Sequence, residues 1–126
     1  MIHDRHFTVE EANSEIERVG PMLEALRAAK EELLDDEARE ALGEAAPGNG
    51  GGERGRQVGA AFLEVRRILV ELTEAGIVVR DVDRGLIDFP SLRDEREVYL
   101  CWQLGEERVG WWHDLESGFG GRQPLD

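Results

Sequence analysis

The sequence predicts an α+β fold: a long antiparallel helical hairpin packed with a small antiparallel β meander of about four strands. Three observations predict it. Apolar residues recur in steps of four and three through residues 8–43. The same steps return over about 56–75. After Gly76 the apolar period switches to two. A chain of 126 residues reads as one domain.

The first helix starts at a capping box. In Thr8-Val9-Glu10-Glu11 the Thr8 hydroxyl can accept an amide and Glu11 can reach back to the Thr8 amide, with Phe7 stapling from outside. Ala12, Ile16, Val19, Leu23, Leu26 and Leu33 form a heptad stripe in which Lys30 takes the skipped position. Pro21 lacks a backbone donor, so a kink or restart is expected there. Residues 44–55 read as a flexible loop, since 48–55 hold five glycines and no phosphate-binding consensus. The second helix, about 56–75, carries Val58, Phe62, Val65, Leu69 and Leu72, broadened by Ala61 and Ile68, and Gly76 caps its end. At ~1.5 Å per residue the first helix exceeds the second by roughly 15 Å or more. That mismatch leaves the stripe around Ile16, Leu23, Leu26 and Leu33 in search of a partner, so a homo-oligomer is expected, a dimer first.

The β region covers 77–114. Ile77-Val78-Val79 opens it, Asp83-Arg84-Gly85 turns the chain, and Leu86-Ile87-Asp88-Phe89 is a strand that Pro90 should stop. Residues 97–104 then alternate, with Val98, Leu100, Trp102 and Leu104 on one face and Glu97, Tyr99, Cys101 and Gln103 on the other. Val109, Trp111 and His113 share a face of the last strand, and residues 115–126 form a C-terminal loop.

The net charge of −13 argues against nucleic-acid partners, because a phosphate backbone would be repelled. No stretch has membrane-spanning length and no secretory h-region opens the chain. Cys101 is the single cysteine, so neither an internal disulfide nor a cysteine framework for zinc exists, and a reducing cytoplasm fits. Lys30 is the only lysine against 14 arginines, a codon bias of GC-rich bacterial genomes.

Several segments carry a resemblance. They are Phe7-Thr8-Val9-Glu10-Glu11-Ala12-Asn13, Arg84-Gly85-Leu86-Ile87-Asp88-Phe89-Pro90, Arg96-Glu97-Val98-Tyr99-Leu100-Cys101-Trp102, and Trp112-His113 followed by Gly118-Phe119 and Gly121-Arg122-Gln123-Pro124. Together they resemble the bacterial domain-of-unknown-function family 2203, over nearly the whole chain. The family pattern places an aspartate three residues after the histidine, where this chain has Glu116. The resemblance implies no activity; some members are labelled division initiation protein.

All the chemistry-bearing residues that fall beside aromatic walls lie near the C-terminus. His113 and Glu116, at i and i+3, could hold a divalent cation such as zinc, manganese or iron, with Asp114 or Glu97 assisting and Asp88 or His6 as a third ligand. The favoured ordinary reading is a histidine that pins the C-terminal loop to a carboxylate. Gly118-Phe119-Gly120-Gly121-Arg122 could form an anion nest, or the loop could fold over the sheet with Arg122 paired to Asp88 or Glu97. Cys101 with His113 as base would be a nucleophile, but a mid-strand cysteine reads as buried and inert. The tryptophans read as core or interface, with Trp112 and Tyr99 as the exposed members. The candidate site is therefore His113, Glu116, Arg122, Asp88 and Glu97. Solvent access and an unfilled coordination or donor position separate a ligand site from a mere pin. The expected function is a small cytoplasmic self-associating protein that acts by binding. The alternative is a metal- or anion-binding enzyme with its site at the C-terminal strand–loop junction.

Overall fold

The computed structural model describes residues 1–41 and 53–126. Two helices, α1 (Val9–Ala41) and α2 (Glu53–Glu74), pack on one another and precede an antiparallel sheet. The strands are β1 (Val78–Asp81), β2 (Leu86–Arg93), β3 (Arg96–Gln103), β4 (Trp111–Asp114) and β5 (Gln123–Pro124). They lie in the order β1-β2-β3-β4-β5, a meander with one strand more than expected. The fifth comes from the C-terminal loop, where Trp111 and Trp112 pair with Pro124 and Gln123. Of the expected flexible loop, residues 44–52 lie outside the described residues, and 53–55 form the first turn of α2.

The capping box forms as read. The Thr8 amide donates to Glu11 Oε1 at 2.9 Å and the Glu11 amide to Thr8 Oγ1 at 3.0 Å. The expected restart at Pro21 does not occur, for α1 runs through it in one piece. Pro21 faces solvent between the fully buried Val19 and Leu23, and their packing outweighs one missing hydrogen bond.

Most of the stripe expected to seek a partner is covered within the chain, while its last member, Leu33, is half-buried and outside the core cluster. Leu23 and Leu26 sit in one core cluster with Ile68 and Leu72 of α2 and Ile87, Phe89, Leu100 and Trp102 of the sheet, and Ile16 packs against it. Length mismatch leaves no bare stripe there because α1 packs on the sheet as well as on α2. Gly20 of α1 shows this, since a Cβ there would stand 3.9 Å from the Trp102 ring of β3, and Asn13 Oδ1 accepts the Val109 amide of the β3–β4 connection at 2.8 Å. Phe62, expected in the core, is instead exposed. The inward face of α2 is Ala61, Ile68 and Leu72, and Phe62 lies about 100° round from Ala61.

Pro90 does not stop β2, which continues to Arg93 with Pro90 opposite Tyr99. β1 reaches only as far as Asp88, so no β1 residue sits beside Pro90 to require its absent N–H. The Pro90 carbonyl accepts the Phe7 amide at 2.7 Å, and Ser91 Oγ donates to the Phe7 carbonyl at 2.6 Å. The N-terminal segment is thereby tied to the sheet. β3 is buried on both faces: Val98, Leu100 and Trp102 face the helices, while Tyr99 and Cys101 are covered on the other side.

Candidate functional site

The sheet register builds the site. Asp88 of β2 stands opposite Cys101 of β3, and Tyr99 of β3 stands opposite His113 of β4. Residues opposite one another share a face, as do residues two apart, so all four side chains project to the side away from the helices. Asp88, Cys101 and His113 are each 1–2% exposed. One ligand-capable atom from each lies within 4.8 Å of the others, a group without equal among the described residues.

Each member of this cluster is held. His113 Nδ1 lies 2.7 Å from the Asp114 carbonyl, which can only accept, so Nδ1 carries a proton. That turns Nε2 toward Asp88, 3.1 Å from both carboxylate oxygens. Arg80 Nε donates to Asp88 Oδ2 at 2.8 Å while its guanidinium lies 4.7 Å from the Tyr99 ring centroid. The Tyr99 ring in turn packs 5.4 Å from the imidazole. Cys101 Sγ receives a long contact from Arg122 Nη1 at 3.8 Å. Burial, reinforced by the negative charge of Asp88, pushes the Cys101 thiol up to about 12 despite Arg122. A neutral, sealed thiol is no poised nucleophile, in line with the inert reading of this residue.

The five expected site residues separate. Asp88 and His113 come together; of Asp88 and His6, the two residues expected as a third ligand, Asp88 lies beside His113 and His6 lies against Glu97. Arg122 comes close to the cluster through Cys101, but its charge is matched by Glu106, not by Asp88 or Glu97. Its guanidinium is also sandwiched 4.4 Å and 4.6 Å from the Trp111 and Phe119 ring centroids, which leaves it little capacity for an anion. Glu97 anchors the N-terminal segment. It accepts the Ile2 and His3 amides at 3.0 and 3.1 Å and lies 2.7 Å from His6 Nε2. Glu116 is exposed and makes no hydrogen bond or ion pair among the described residues, so the His113–Glu116 pairing is not formed. Tyr99 and Trp112, expected to be exposed, are buried at 4% and 8%.

Three partners escaped the sequence reading. Arg80 reaches Asp88 from a β1 whose register slips between Val79 and Asp81, an irregularity no alternation pattern reveals. Glu106 lies in a turn that reads as solvent-facing charge. His3 Nε2 meets the Tyr99 hydroxyl at 2.6 Å only because the N-terminal segment crosses the sheet.

Comparisons with curated proteins and with solved structures find no match. The profile of the family described as "Uncharacterized conserved protein (DUF2203)" matches residues 5–125. With nearly every residue matched, this chain belongs to the DUF2203 family.

Proposed function

We propose that this protein acts by binding rather than by catalysis, and that its first partner is a second copy of itself, docked α2 against α2. One observation carries the reading: Phe62, Leu63 and Val70 are 59%, 62% and 44% exposed on one helix. Surface apolar residues scattered singly need no explanation, but a run along one helix face marks an interaction site. Leu63 and Val70 line an open groove with Arg66, Arg67, Glu71 and Glu74.

The charges favour a copy of the same chain. Arg66 and Glu74 have no ion-pair partner among the described residues and lie four residues either side of Val70. An antiparallel pair of α2 helices with its two-fold axis at Val70 sets each Arg66 against the partner's Glu74, twice per dimer. Such self-complementarity is what a two-fold interface requires. The net charge of −13 supports partners other than nucleic acid. The described helices include none long and apolar enough to cross a membrane. The buried free thiol of Cys101 supports a reducing cytoplasm. An enzyme working at the Asp88–His113 cluster would need substrate to reach side chains that are almost fully covered.

Light scattering at micromolar concentration tests the reading. The wild-type chain should run at twice its 14.2 kDa mass and Leu63→Glu/Val70→Glu as a folded monomer. Arg66→Glu and Glu74→Arg should each weaken the dimer, and the double swap should restore it. A monomeric wild type, or single swaps without effect, defeats the proposal.

A further inference from the structure

The geometry points to a closed binding site for a thiophilic divalent cation of the zinc class, formed by Asp88, Cys101 and His113. This site is independent of how the chain self-associates.

Three donors of different kinds converge from three strands. Carboxylate, thiol and imidazole together form a donor set that zinc and its neighbours favour, whereas calcium and magnesium take oxygen ligands. Bonds of about 2.0–2.3 Å around a tetrahedral ion separate ligand atoms by roughly 3.3–3.8 Å. The three atoms here lie within 4.8 Å of one another, and Nε2 to Asp88 is 3.1 Å. Closing them on one ion therefore takes shifts of about an ångström. Because Nε2 is equidistant from both Asp88 oxygens, a bidentate carboxylate would supply the fourth donor.

The surrounding contacts match those of a metal ligand shell. A metal-bound histidine commonly donates its other ring N–H to a carbonyl, which fixes the tautomer, as His113 does to Asp114. Asp88 is oriented by Arg80, whose side chain is 41% exposed and keeps its charge in contact with water. Cys101 is flanked by Arg122, itself neutralised by Glu106.

A simple Asp88–His113 ion pair uses two of the three residues and leaves out the thiol aligned with them. Cation binding uses all three. An S–metal bond replaces the Cys101 S–H bond and the proton leaves to solvent. Nε2, which faces Asp88 as an N–H donor in the ion pair, also releases its proton to solvent and coordinates through the freed lone pair, with the other ring proton retained on Nδ1. With two ligand charges of −1 the ion is neutralised locally, which a buried site demands. The site has no open path for substrate, so the bound ion staples β2, β3 and β4.

The test uses full-length, tag-free protein stripped with chelator and titrated with Co2+, then Zn2+. The expected result is one equivalent of Co2+ with a near-ultraviolet thiolate-to-cobalt charge-transfer band, displaced by one equivalent of Zn2+, and a raised melting temperature. Cys101→Ala, a small change, should fold with wild-type circular dichroism, lose the band and bind at least tenfold more weakly. His113→Gln should weaken binding comparably. His3→Gln/His6→Gln, which removes the half-buried imidazoles beside Glu97, should keep the band. No band and no retained ion in the wild type, or binding that survives Cys101→Ala and vanishes in the His3/His6 variant, overturns the assignment.

Discussion

Glu106 and Arg122 clamp the β3–β4 turn to the C-terminal loop, each guanidinium terminus addressing one oxygen of the same carboxylate. Glu106 Oε1 also accepts the Gln103 amide at 2.7 Å, and its backbone carbonyl accepts Trp102 Nε1 at 3.1 Å. One residue thus closes the turn, satisfies an indole buried in the core and fixes the loop. Arg122 adds stacking against Trp111 and Phe119.

Arg122→Lys should therefore destabilise the fold by about 1–3 kcal/mol, because an ammonium can neither fork onto a carboxylate nor stack flat between two rings. Both side chains are less than a third exposed, so solvent screening removes only part of the effect. Urea unfolding would measure it. A loss equal to that of Arg108→Lys, whose side chain is 74% exposed, would show that the clamp carries no weight.

The sequence held the fold's outline because its main signals are local. Thr8 and Glu11, the inward residues Ala12, Val19, Leu23 and Leu26, and the alternation of 97–104 each depend on spacing within a few residues. The site was half legible. His113 and Asp88 stood out as polar residues inside apolar strands, but their meeting depends on register across β2, β3 and β4. Glu116 seemed a partner through its i+3 spacing, which brings residues together on a helix but not after a strand that ends at Asp114. Phe62 was misplaced because two adjacent stripes on α2 satisfy the same heptad spacing, and only the position of α1 decides which turns inward.

Glu97 should make the docking of the N-terminal segment pH-dependent. Burial pushes its carboxyl up, but the His6 hydrogen bond, the Ile2 and His3 amides and the charge of His3 outweigh this and hold it below the ordinary value of 4.5. A depressed native pKa contributes stability above the unfolded value, and that contribution is lost as pH falls through the native one. The segment should stay docked from neutral pH to about 4.5 and loosen below it. Backbone amide chemical shifts of Ile2 and His3 would follow the release. Glu97→Gln should abolish the step, and an unchanged step in that variant would place the titrating group elsewhere.

The β2–β3 hairpin turns through Asp94 and Glu95 at φ 52° and 66°, a left-handed pair without glycine. Two-residue turns of this kind favour Asn-Gly, since only glycine takes positive φ without steric cost. Asp94→Asn/Glu95→Gly should stabilise the protein by roughly 0.5–1 kcal/mol. Both residues are exposed, so the gain should appear in thermal unfolding without altering the cluster at Asp88. A lower melting temperature would mean that glycine's greater freedom in the unfolded chain outweighs the relief of strain.

Two glycines should respond to alanine in opposite directions. Gly85 ends the β1–β2 turn at φ 62°, and its carbonyl accepts the Leu104 amide at 2.9 Å. A Cβ there would stand 2.5 Å from Leu104 Cβ, an atom fixed to the backbone of the β3–β4 turn. Gly85→Ala thus combines an unfavourable φ with a clash that must move one turn or the other, at a cost of about 2–4 kcal/mol. Gly59 lies inside α2 with nothing within 4 Å of its would-be Cβ. There alanine restricts the unfolded chain and suits the helix, so Gly59→Ala should gain about 0.5–1 kcal/mol. Denaturant midpoints of the two variants would separate them clearly. Equal losses at both positions would mean that the α2 surface at Gly59 is packed in solution, as it would be if the α2–α2 interface extends that far toward the N-terminus of the helix. A loss at Gly59 that falls with protein dilution would identify the second copy as the cause.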